Sequence, residues 1–255
     1  MVERAISSRT AAGMSRRRVL RHAALLVAVL ACGGMGRLPL AKATPFLRPP
    51  GAVPEHAFLS SCIKCGQCLQ VCPVKAIELA DIDQGYAGGT PYIAARDQAC
   101  DFSCDALQCI LACPTGALDH RLTKPAEVRM GLAVLTAPES CLATKNRGFT
   151  GHPRGERYRG LLRYAEIDRW KPQPVREHPY DRPLCDLCVV ACPIKGAISL
   201  ETRKEATGRV YAEPVVHASC TGCGVCEMIC PTATPSITVV PRKVWQQSAT
   251  EPGHG

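Results

Sequence analysis

The chain has 255 residues, a formal net charge of +9, only 5% aromatic side chains and 17 cysteines. The first 43 positions hold eight of the 31 basic residues but one of the 22 acidic residues, so the remainder is nearly neutral, with 23 basic and 21 acidic side chains. Nucleic-acid binding needs a basic face in the folded domain, so this balance argues against that class of function. The scarcity of aromatic side chains predicts a small hydrophobic core that needs another source of stability.

Residues 1–43 have the pattern of a twin-arginine export signal. Arg16 and Arg17 form the arginine pair, and an apolar stretch at residues 23–31 follows it. That stretch is shorter than the about 20 apolar residues that span a bilayer. The tripeptide Ala-Lys-Ala at residues 41–43 matches a signal peptidase cleavage pattern. We therefore expect a mature chain in the periplasm with no membrane span after cleavage.

Two alternatives remain open at this end of the chain. Residues 29–32, Val-Leu-Ala-Cys, resemble a lipoprotein signal, which would make Cys32 a lipid-anchored N-terminus. Translation could also start at Met14, which would place the arginine pair close to the terminus. The twin-arginine route carries folded proteins, so metal centres bound to cysteines can be assembled in the reducing cytoplasm before export.

The other sixteen cysteines fall into four runs, each ending in Cys-Pro. The first run (residues 62–73) and the fourth (residues 220–231) have the spacing Cys-x2-Cys-x2-Cys-x3-Cys-Pro, which holds a [4Fe-4S] cluster in bacterial ferredoxins. The second run (residues 100–114) is spaced more widely, and the third (residues 141–193) takes its first cysteine from distant Cys141. The predicted ligands of four [4Fe-4S] clusters are Cys62, Cys65, Cys68, Cys72, Cys100, Cys104, Cys109, Cys113, Cys141, Cys185, Cys188, Cys192, Cys220, Cys223, Cys226 and Cys230.

The spacing has a physical reason. Three thiolates that are separated by two residues each can all turn inward only if the chain wraps the cluster as a tight loop. Such a loop points backbone N–H groups at the sulfurs. The proline then turns the chain away, and we expect it to open a short helix after each run. A small and then a large apolar residue follow three of the runs, as Ala-Ile or Ala-Leu at residues 76–77, 117–118 and 197–198. This is internal repetition.

Short β-rich stretches lie near the runs, at residues 91–94, 132–135, 210–212 and 237–240. Together with the runs they predict an α+β fold of tandem bacterial ferredoxin-like units, each holding two [4Fe-4S] clusters. In such ferredoxins the fourth cysteine of one run binds the neighbouring cluster. We therefore expect the four Cys-Pro cysteines to cross over. Because like spacings suggest partners, we expect the first run to pair with the fourth and the second with the third.

Zinc sites and disulfides are the alternative interpretations of the cysteines. A zinc ribbon closes a tetrahedral site with two Cys-x2-Cys pairs and does not need a third cysteine followed by Cys-Pro. Cysteines two residues apart on a tight loop are poor disulfide partners, and no disulfide requires the repeated proline.

Residues 142–184 form a basic and aromatic insertion between Cys141 and Cys185. The insertion holds eight arginines, two lysines, five acidic residues and five aromatic residues. Tyr158, Leu161, Leu162 and Ala165 have helical spacing, and the prolines after them favour an extended remainder. Either the insertion packs against its own domain, or it is a docking surface for a redox partner.

With these residues identified, the chain resembles the periplasmic four-cluster ferredoxin-type proteins of the NapG/MauM family, which are associated with nitrate reductase and methylamine-oxidation systems. Beyond the cysteines, the resemblance rests on residues 47–52 (LRPPGA), 89–92 (GTPY), 95–97 (ARD) and 129–135 (RMGLAVL). The resemblance implies electron transfer between a membrane quinol-oxidising ferredoxin-like protein and a periplasmic cytochrome or reductase. The wide spacing after Cys100 and the long insertion depart from the family pattern.

The expected function is therefore electron transfer, with no catalytic residue and no substrate site of its own, since no nucleophile, nucleotide-binding or haem-attachment motif is present. The alternative is an accessory ferredoxin for maturation or assembly of a periplasmic redox enzyme such as methylamine dehydrogenase. An enzyme that uses a cluster as a Lewis acid would need an iron without a cysteine ligand, and sixteen cysteines for four clusters leave none open.

Overall fold

The computed structural model describes residues 20, 45–104, 106–154, 162–165, 168–174 and 179–244, with the backbone alone for 162–165 and 168–174. The chain divides into two units, Met1–Thr44 and Pro45–Gly255, and the elements described below belong to the second. Arg16, Arg17 and Cys32 lie outside the described residues. In the part of the chain that is described, no helix has the length and apolar character needed to cross a membrane.

The described elements are short and comprise both helices and strands. The helices are α1 (Glu55–Ser61), α2 (Gln67–Gln70), α3 (Gln108–Leu111), α4 (Leu187–Val190) and α5 (Val225–Ile229), with 3₁₀ segments at Ile82–Ala87 and Pro125–Glu127. The strands are β1 (Ile77–Leu79), β2 (Pro91–Ile93), β3 (Gly131–Leu135), β4 (Phe149–Gly151), β5 (Leu162–Ala165), β6 (Asp168–Pro174), β7 (Tyr180–Arg182), β8 (Ile198–Lys204), β9 (Val210–Val216) and β10 (Ile237–Pro241).

The strands pair as two-stranded antiparallel sheets. Two of these pairs, β1 with β2 and β8 with β9, join consecutive cysteine runs, the first to the second and the third to the fourth. Strands β3 and β10 pair across a long separation in the sequence, and β4 with β7 closes the base of the insertion. All four strands predicted from the sequence are present, at β2, β3, β9 and β10, so the mixed helix and strand architecture is confirmed.

The sequence predicted a short helix after each Cys-Pro step. This prediction is wrong, because the helices precede the Cys-Pro steps. Helices α2, α3, α4 and α5 contain the third cysteine of each run, Cys68, Cys109, Cys188 and Cys226. After the proline comes a turn and then, for three runs, strand β1, β8 or β10. The turn wraps the sulfur of the Cys-Pro cysteine so that the following N–H groups face it. A helix opened at the proline would direct those same N–H groups to its own carbonyls.

The predicted amphipathic helix in the insertion is also wrong. Its described positions, Leu162–Ala165, are strand β5, which pairs antiparallel with β6. Tyr158 and Leu161 lie outside the described residues. The described residues that follow are extended, as predicted, since Pro172 and Pro174 lie in β6.

Arg48 is a buried cation that joins the two ends of the described chain. Its side chain is 1% exposed, donates to both oxygens of Glu55 and stacks over the Phe58 ring, 4.8 Å from the ring centroid. It also donates to the Thr90 hydroxyl at 2.8 Å. Arg242, near the other end, donates to the same Glu55 carboxylate at 2.9 Å. One carboxylate therefore neutralises two arginines and holds the N-terminal segment against the end of β10.

We predict that Glu55→Gln destabilises the fold, because it leaves the buried Arg48 charge without its partner. Breaking a fully buried ion pair costs about 3–5 kcal/mol, and we expect roughly 2 kcal/mol here because Glu55 is partly exposed. The control is Glu201→Gln, which removes an exposed pair with Arg203 and should cost less than about 1 kcal/mol. Thermal unfolding followed by circular dichroism at pH 7 measures both effects.

The destabilisation caused by Glu55→Gln should depend on pH. Burial acts to raise the pKa of Glu55, but the hydrogen bonds and charges of Arg48 and Arg242 outweigh it and lower the pKa overall. A carboxylate with a lowered folded-state pKa stabilises fully above its unfolded pKa, and the contribution is lost as the pH falls through the folded value. The stability difference between wild type and Glu55→Gln should therefore narrow in acid. A difference that is equal at pH 7 and pH 4 would show that ionised Glu55 is not the source.

Candidate metal centres

The cysteines of the described chain come together as four groups. Site 1 consists of Cys62, Cys65, Cys68 and Cys113, which line one cavity. Site 2 consists of Cys72, Cys100, Cys104 and Cys109, which line a second cavity. Site 3 consists of Cys141, Cys185, Cys188 and Cys230, which line a third cavity. Site 4 consists of Cys192, Cys220, Cys223 and Cys226, whose sulfurs are electrostatic neighbours.

Each site takes three cysteines from one run and the Cys-Pro cysteine from another. Cys113 and Cys72 are exchanged between the first two runs, and Cys230 and Cys192 between the last two. This is the crossing over that the spacing predicts. The predicted pairing of the first run with the fourth and the second with the third is wrong. Runs that are consecutive in the sequence pair instead, because the β1–β2 and β8–β9 connections bring their Cys-Pro turns together.

Cys141 reaches site 3 because the insertion leaves and returns at one place. The N–H of Cys185 donates to the carbonyl of Arg147 at 3.0 Å, and the β4–β7 pair lies directly beyond this bond. On its other side the Cys141 segment is fixed to β9, since Asn146 Nδ2 donates to the carbonyl of Val210 at 2.7 Å. The long gap before Cys185 is therefore closed at its base, and Cys141 lies beside Cys185 in the same cavity.

The turn after each Cys-Pro step directs N–H groups at the cysteine sulfur. The N–H of Ala76 lies 3.3 Å from Cys72 Sγ, and the N–H of Ser236 lies 3.4 Å from Cys230 Sγ. The repeated small residue of the first run is thus a donor to its own Cys-Pro sulfur. Ser236 and Ile237, which are 1% and 3% exposed, take the places of the small and large residues in the fourth run. The sequence pattern did not reveal this pair, because the turn between Cys230 and Ser236 is longer than the corresponding turns of the other runs.

Burial raises the pKa of most of these thiols. Removal from water, reinforced by neighbouring sulfurs, raises the pKa of Cys68 to about 11, of Cys185 to about 11 and of Cys223 to about 12. The pKa of Cys100 and that of Cys226 are raised further by the same cause. These buried thiols are therefore protonated at neutral pH when no metal is bound, and binding a metal centre as thiolates must release their protons.

Cys113 differs from these thiols. Burial acts to raise its pKa, but the backbone N–H groups of Thr115, Leu118 and Ala117 and the Thr115 hydroxyl lower it overall. In Cys72, the corresponding cysteine of the first run, burial outweighs the same kind of hydrogen bonds, and the pKa is raised. Cys72 and Cys113, which are exchanged between the first two runs, thus have different electrostatic surroundings.

The donor groups fit [4Fe-4S] clusters, which take one cysteine thiolate for each of four iron atoms. Four thiols surround a cavity at site 1, at site 2 and at site 3. Among the described residues, no three His, Cys, Asp or Glu side chains converge on a point as they would around a single metal ion.

A buried hydroxyl supports this fit at site 4. Thr221 is 1% exposed and lies beside the Cys223 sulfur, where its hydroxyl acts to lower the pKa of that thiol. Its oxygen finds no protein partner with the distance and angle of a hydrogen bond. An unpartnered buried hydroxyl costs about 1–3 kcal/mol, and the sulfur atoms of a bound cluster would supply an acceptor.

The sites follow one another in the order 1, 2, 4, 3, which is not the order of their runs. Cys68 of site 1 is an electrostatic neighbour of Cys109 of site 2. The N–H of Cys100, in site 2, donates to the carbonyl of Cys223, in site 4, at 3.2 Å. Cys188 of site 3 is in turn a neighbour of Cys226 in site 4. Sites 1 and 3 are therefore the two ends of the series.

Comparison with known proteins agrees with this geometry. The family model described as a 4Fe-4S dicluster domain matches residues 61–117, which hold the first two runs, and again residues 183–234, which hold the last two runs except Cys141. The chain is 36% identical to the ferredoxin-type protein NapG of Escherichia coli K12, over 88% of this chain and 83% of the relative. It is 37% identical to the methylamine utilization ferredoxin-type protein MauM of Paracoccus denitrificans, over 90% of this chain and 88% of the relative.

The chain belongs to the NapG/MauM family of ferredoxin-type proteins. It is an iron-sulfur protein of the electron-transferring ferredoxin type, as the resemblance predicted. A further relative, MauM of Methylorubrum extorquens, is 36% identical over 78% of this chain and 74% of its own. No solved structure matches the chain significantly.

Two of the segments on which the resemblance rests acquire a physical explanation from the structure. Arg48, in the LRPPGA segment, is the buried cation bound to Glu55. Arg96, in the ARD segment, donates to the carbonyls of Glu227 and Cys230 at 2.7 and 2.9 Å, so it ties the second run to the Cys-Pro turn of the fourth. Sequence reasoning could not assign either role, because both depend on contacts distant in the sequence.

We predict that Gly222→Ala disrupts site 4. Gly222 lies between Cys220 and Cys223 with φ +70°, and a Cβ there would lie 2.3–2.5 Å from the backbone of Gly131 at the start of β3. The alanine would push the fourth run away from β3, so we expect a lower thermal midpoint and less bound iron. Gly208→Ala is the matched control, since Gly208 has φ +87° but open space at Cβ, and should cost only the left-handed strain of about 1–2 kcal/mol. Equal iron loss in the two variants would contradict the steric explanation.

Proposed function

We propose that the chain holds four [4Fe-4S] clusters, one in each of sites 1–4, and relays electrons between a membrane quinol-oxidising ferredoxin-like protein and a periplasmic cytochrome or reductase. The observation that supports this most strongly is the exchange of Cys-Pro cysteines, which gives every site four sulfurs and uses all sixteen cysteines of the described residues. A bound [4Fe-4S] cluster supplies reversible one-electron reduction. The chain's own residues bind it, exclude water and direct N–H groups at its cysteine sulfurs.

The order of the sites suggests the route of the electrons. In the sequence 1, 2, 4, 3 each site adjoins the next through cysteines of both, so an electron entering at one end has a continuous series of centres to the other. Site 1 is the more accessible end. Cys65 is exposed whereas the other cysteines of the described residues are buried or half-buried, and the neighbouring Ile63 is 64% exposed. We infer that one redox partner meets the chain at this loop.

A second candidate function is suggested by the relatives named for methylamine utilization. The accessory function, electron delivery during maturation of an enzyme such as methylamine dehydrogenase, would use the same four sites. The two functions differ in turnover. A respiratory carrier is reduced and reoxidised continuously with its partners, whereas an accessory protein is needed only while the enzyme is being assembled.

The first test of the proposal is the iron content. Anaerobically purified protein should contain about 16 iron atoms per chain, four for each cluster. Cys141→Ala should lose about four of them and one reducible centre, because it removes a sulfur from site 3 alone. Cys32→Ala, at the cysteine outside the four runs, is the matched control and should keep the full content. Near-zero iron with stoichiometric zinc in the wild type would refute the proposal, and full iron in Cys141→Ala would remove Cys141 from the ligands.

The second test concerns location. We propose that the chain is exported to the periplasm with its clusters in place by the twin-arginine pathway, guided by Arg16 and Arg17. Replacing both arginines with lysine should leave the uncleaved precursor in the cytoplasm, whereas Arg18→Lys, the adjacent control, should be exported. Cell fractionation with immunoblotting measures the outcome. Continued export of the double variant would show that another pathway operates, and loss of membrane association in Cys32→Ser would favour the lipid-anchored alternative.

A further inference from the structure

A side-chain hydroxyl lies beside the sulfur that the fourth run contributes to site 3. Thr232 Oγ1 is 3.1 Å from Cys230 Sγ. The N–H of Ser236 approaches the same sulfur at 3.4 Å. When Cys230 is a thiolate it has no proton to give, so the threonine hydroxyl must be the donor in this pair. Hydrogen bonds with an ionised partner are stronger than those between neutral groups.

Neighbouring groups fix the position of the Thr232 hydroxyl. Its oxygen is 2.7 Å from the carbonyl of Thr234 and 3.3 Å from Ser236 Oγ. Ser236 Oγ lies 2.7 Å from Ser140 Oγ. The single proton of Thr232 therefore has three acceptors within reach, the Thr234 carbonyl, the Ser236 hydroxyl and the Cys230 sulfur. Added negative charge on the sulfur favours the hydrogen bond to Cys230.

The backbone of the turn is fixed from the other side by Arg96. Its guanidinium donates to the carbonyl of Cys230 at 2.9 Å and to that of Thr232 at 2.7 Å. The two hydrogen bonds hold the backbone on both sides of Pro231. Arg96 therefore helps to fix the direction of the Thr232 side chain.

The equivalent position differs among the four sites. The residue two places after the Cys-Pro cysteine is Val74 in the first run and Ile194 in the third, so sites 2 and 4 receive no hydroxyl from it. In the second run it is Thr115, whose hydroxyl also faces its Cys-Pro sulfur but at a longer distance, with Oγ1 3.8 Å from Cys113 Sγ. The short contact at Cys230 thus distinguishes site 3 from site 4, the other site that the third and fourth runs form together.

We propose that Thr232 is a tuning residue that raises the reduction potential of the centre in site 3 by donating a hydrogen bond to Cys230 Sγ. The inference rests on the proposed function, since it requires a cluster in site 3. Reduction adds one electron and no proton, and the extra negative charge is stabilised by a donor aimed at a sulfur ligand. Because site 3 ends the series, the raised potential keeps electrons at that end, where a partner can collect them.

Thr232→Val tests this inference, since it replaces the hydroxyl with a methyl group of similar shape. The full chain with its iron is titrated with dithionite and followed by electron paramagnetic resonance. We expect one centre to become about tenfold harder to reduce, which is ~59 mV for a one-electron couple, with the iron content and the other centres unchanged. Thr232→Ser keeps the hydroxyl and should restore the wild-type potential. Thr234→Val, an exposed threonine of the same turn, is the matched control and should shift no centre.

The centre that shifts must be the one that Cys141→Ala abolishes, because Cys141 belongs to site 3. A shift in another centre, or four unchanged potentials in an iron-replete Thr232→Val variant, would overturn the inference and leave the proposed function intact. A wild-type protein without reducible centres would instead overturn the proposed function. If Thr232→Val loses iron, Ile194→Thr provides the second test. A hydroxyl at this equivalent position should raise the potential of the centre in site 4, and an unchanged potential there would count against the inference.

Discussion

The exchange of one cysteine between consecutive runs is the constraint on which the fold of the described chain depends. The Cys-Pro cysteine lies just after the short helix of its own run, while its sulfur lies in the cavity of the other run. The chain must therefore turn sharply at the proline. Proline allows this turn because it has no backbone N–H, so no donor is left without an acceptor. The turn leaves N–H groups facing the sulfur, as at Ala76 and Ser236. With clusters bound, neither site of a unit would be complete without both runs, which couples metal binding to folding.

The exchange of Cys-Pro cysteines could be predicted from the sequence because it follows from local spacing, but the pairing of runs could not be read from that spacing. The first and fourth runs look alike because each wraps a regular loop, and this likeness says nothing about proximity. Proximity is set by the connections. A short antiparallel pair links the Cys-Pro turn of the first run to the second run (β1–β2) and that of the third run to the fourth run (β8–β9), and connected elements usually lie side by side. The irregular spacing of the second and third runs reflects different loop lengths within the same arrangement.

The errors about helices have a related cause. Helical spacing at Leu162 and Ala165 is a local pattern, whereas the strand observed there is formed by pairing with β6. Likewise, proline is compatible with the first turn of a helix, but the need to supply N–H groups to a cysteine sulfur decides the conformation after Cys72. The sequence did not reveal the roles of polar residues such as Arg48 and Thr232. Their importance comes from burial and from partners that only the folded chain brings close.

The insertion acquires a place in the proposed relay from its position along the chain. It begins directly after Cys141 and ends directly before Cys185, two cysteines of site 3, and its base is closed by the β4–β7 pair. Residues 142–184 carry ten basic and five acidic side chains, so the segment is basic. Site 3 is also the end of the series opposite the exposed loop of Cys65. If one partner meets site 1, a second partner with an acidic surface would be attracted to the segment that flanks site 3, and the hydroxyl of Thr232 would favour the electron at that end.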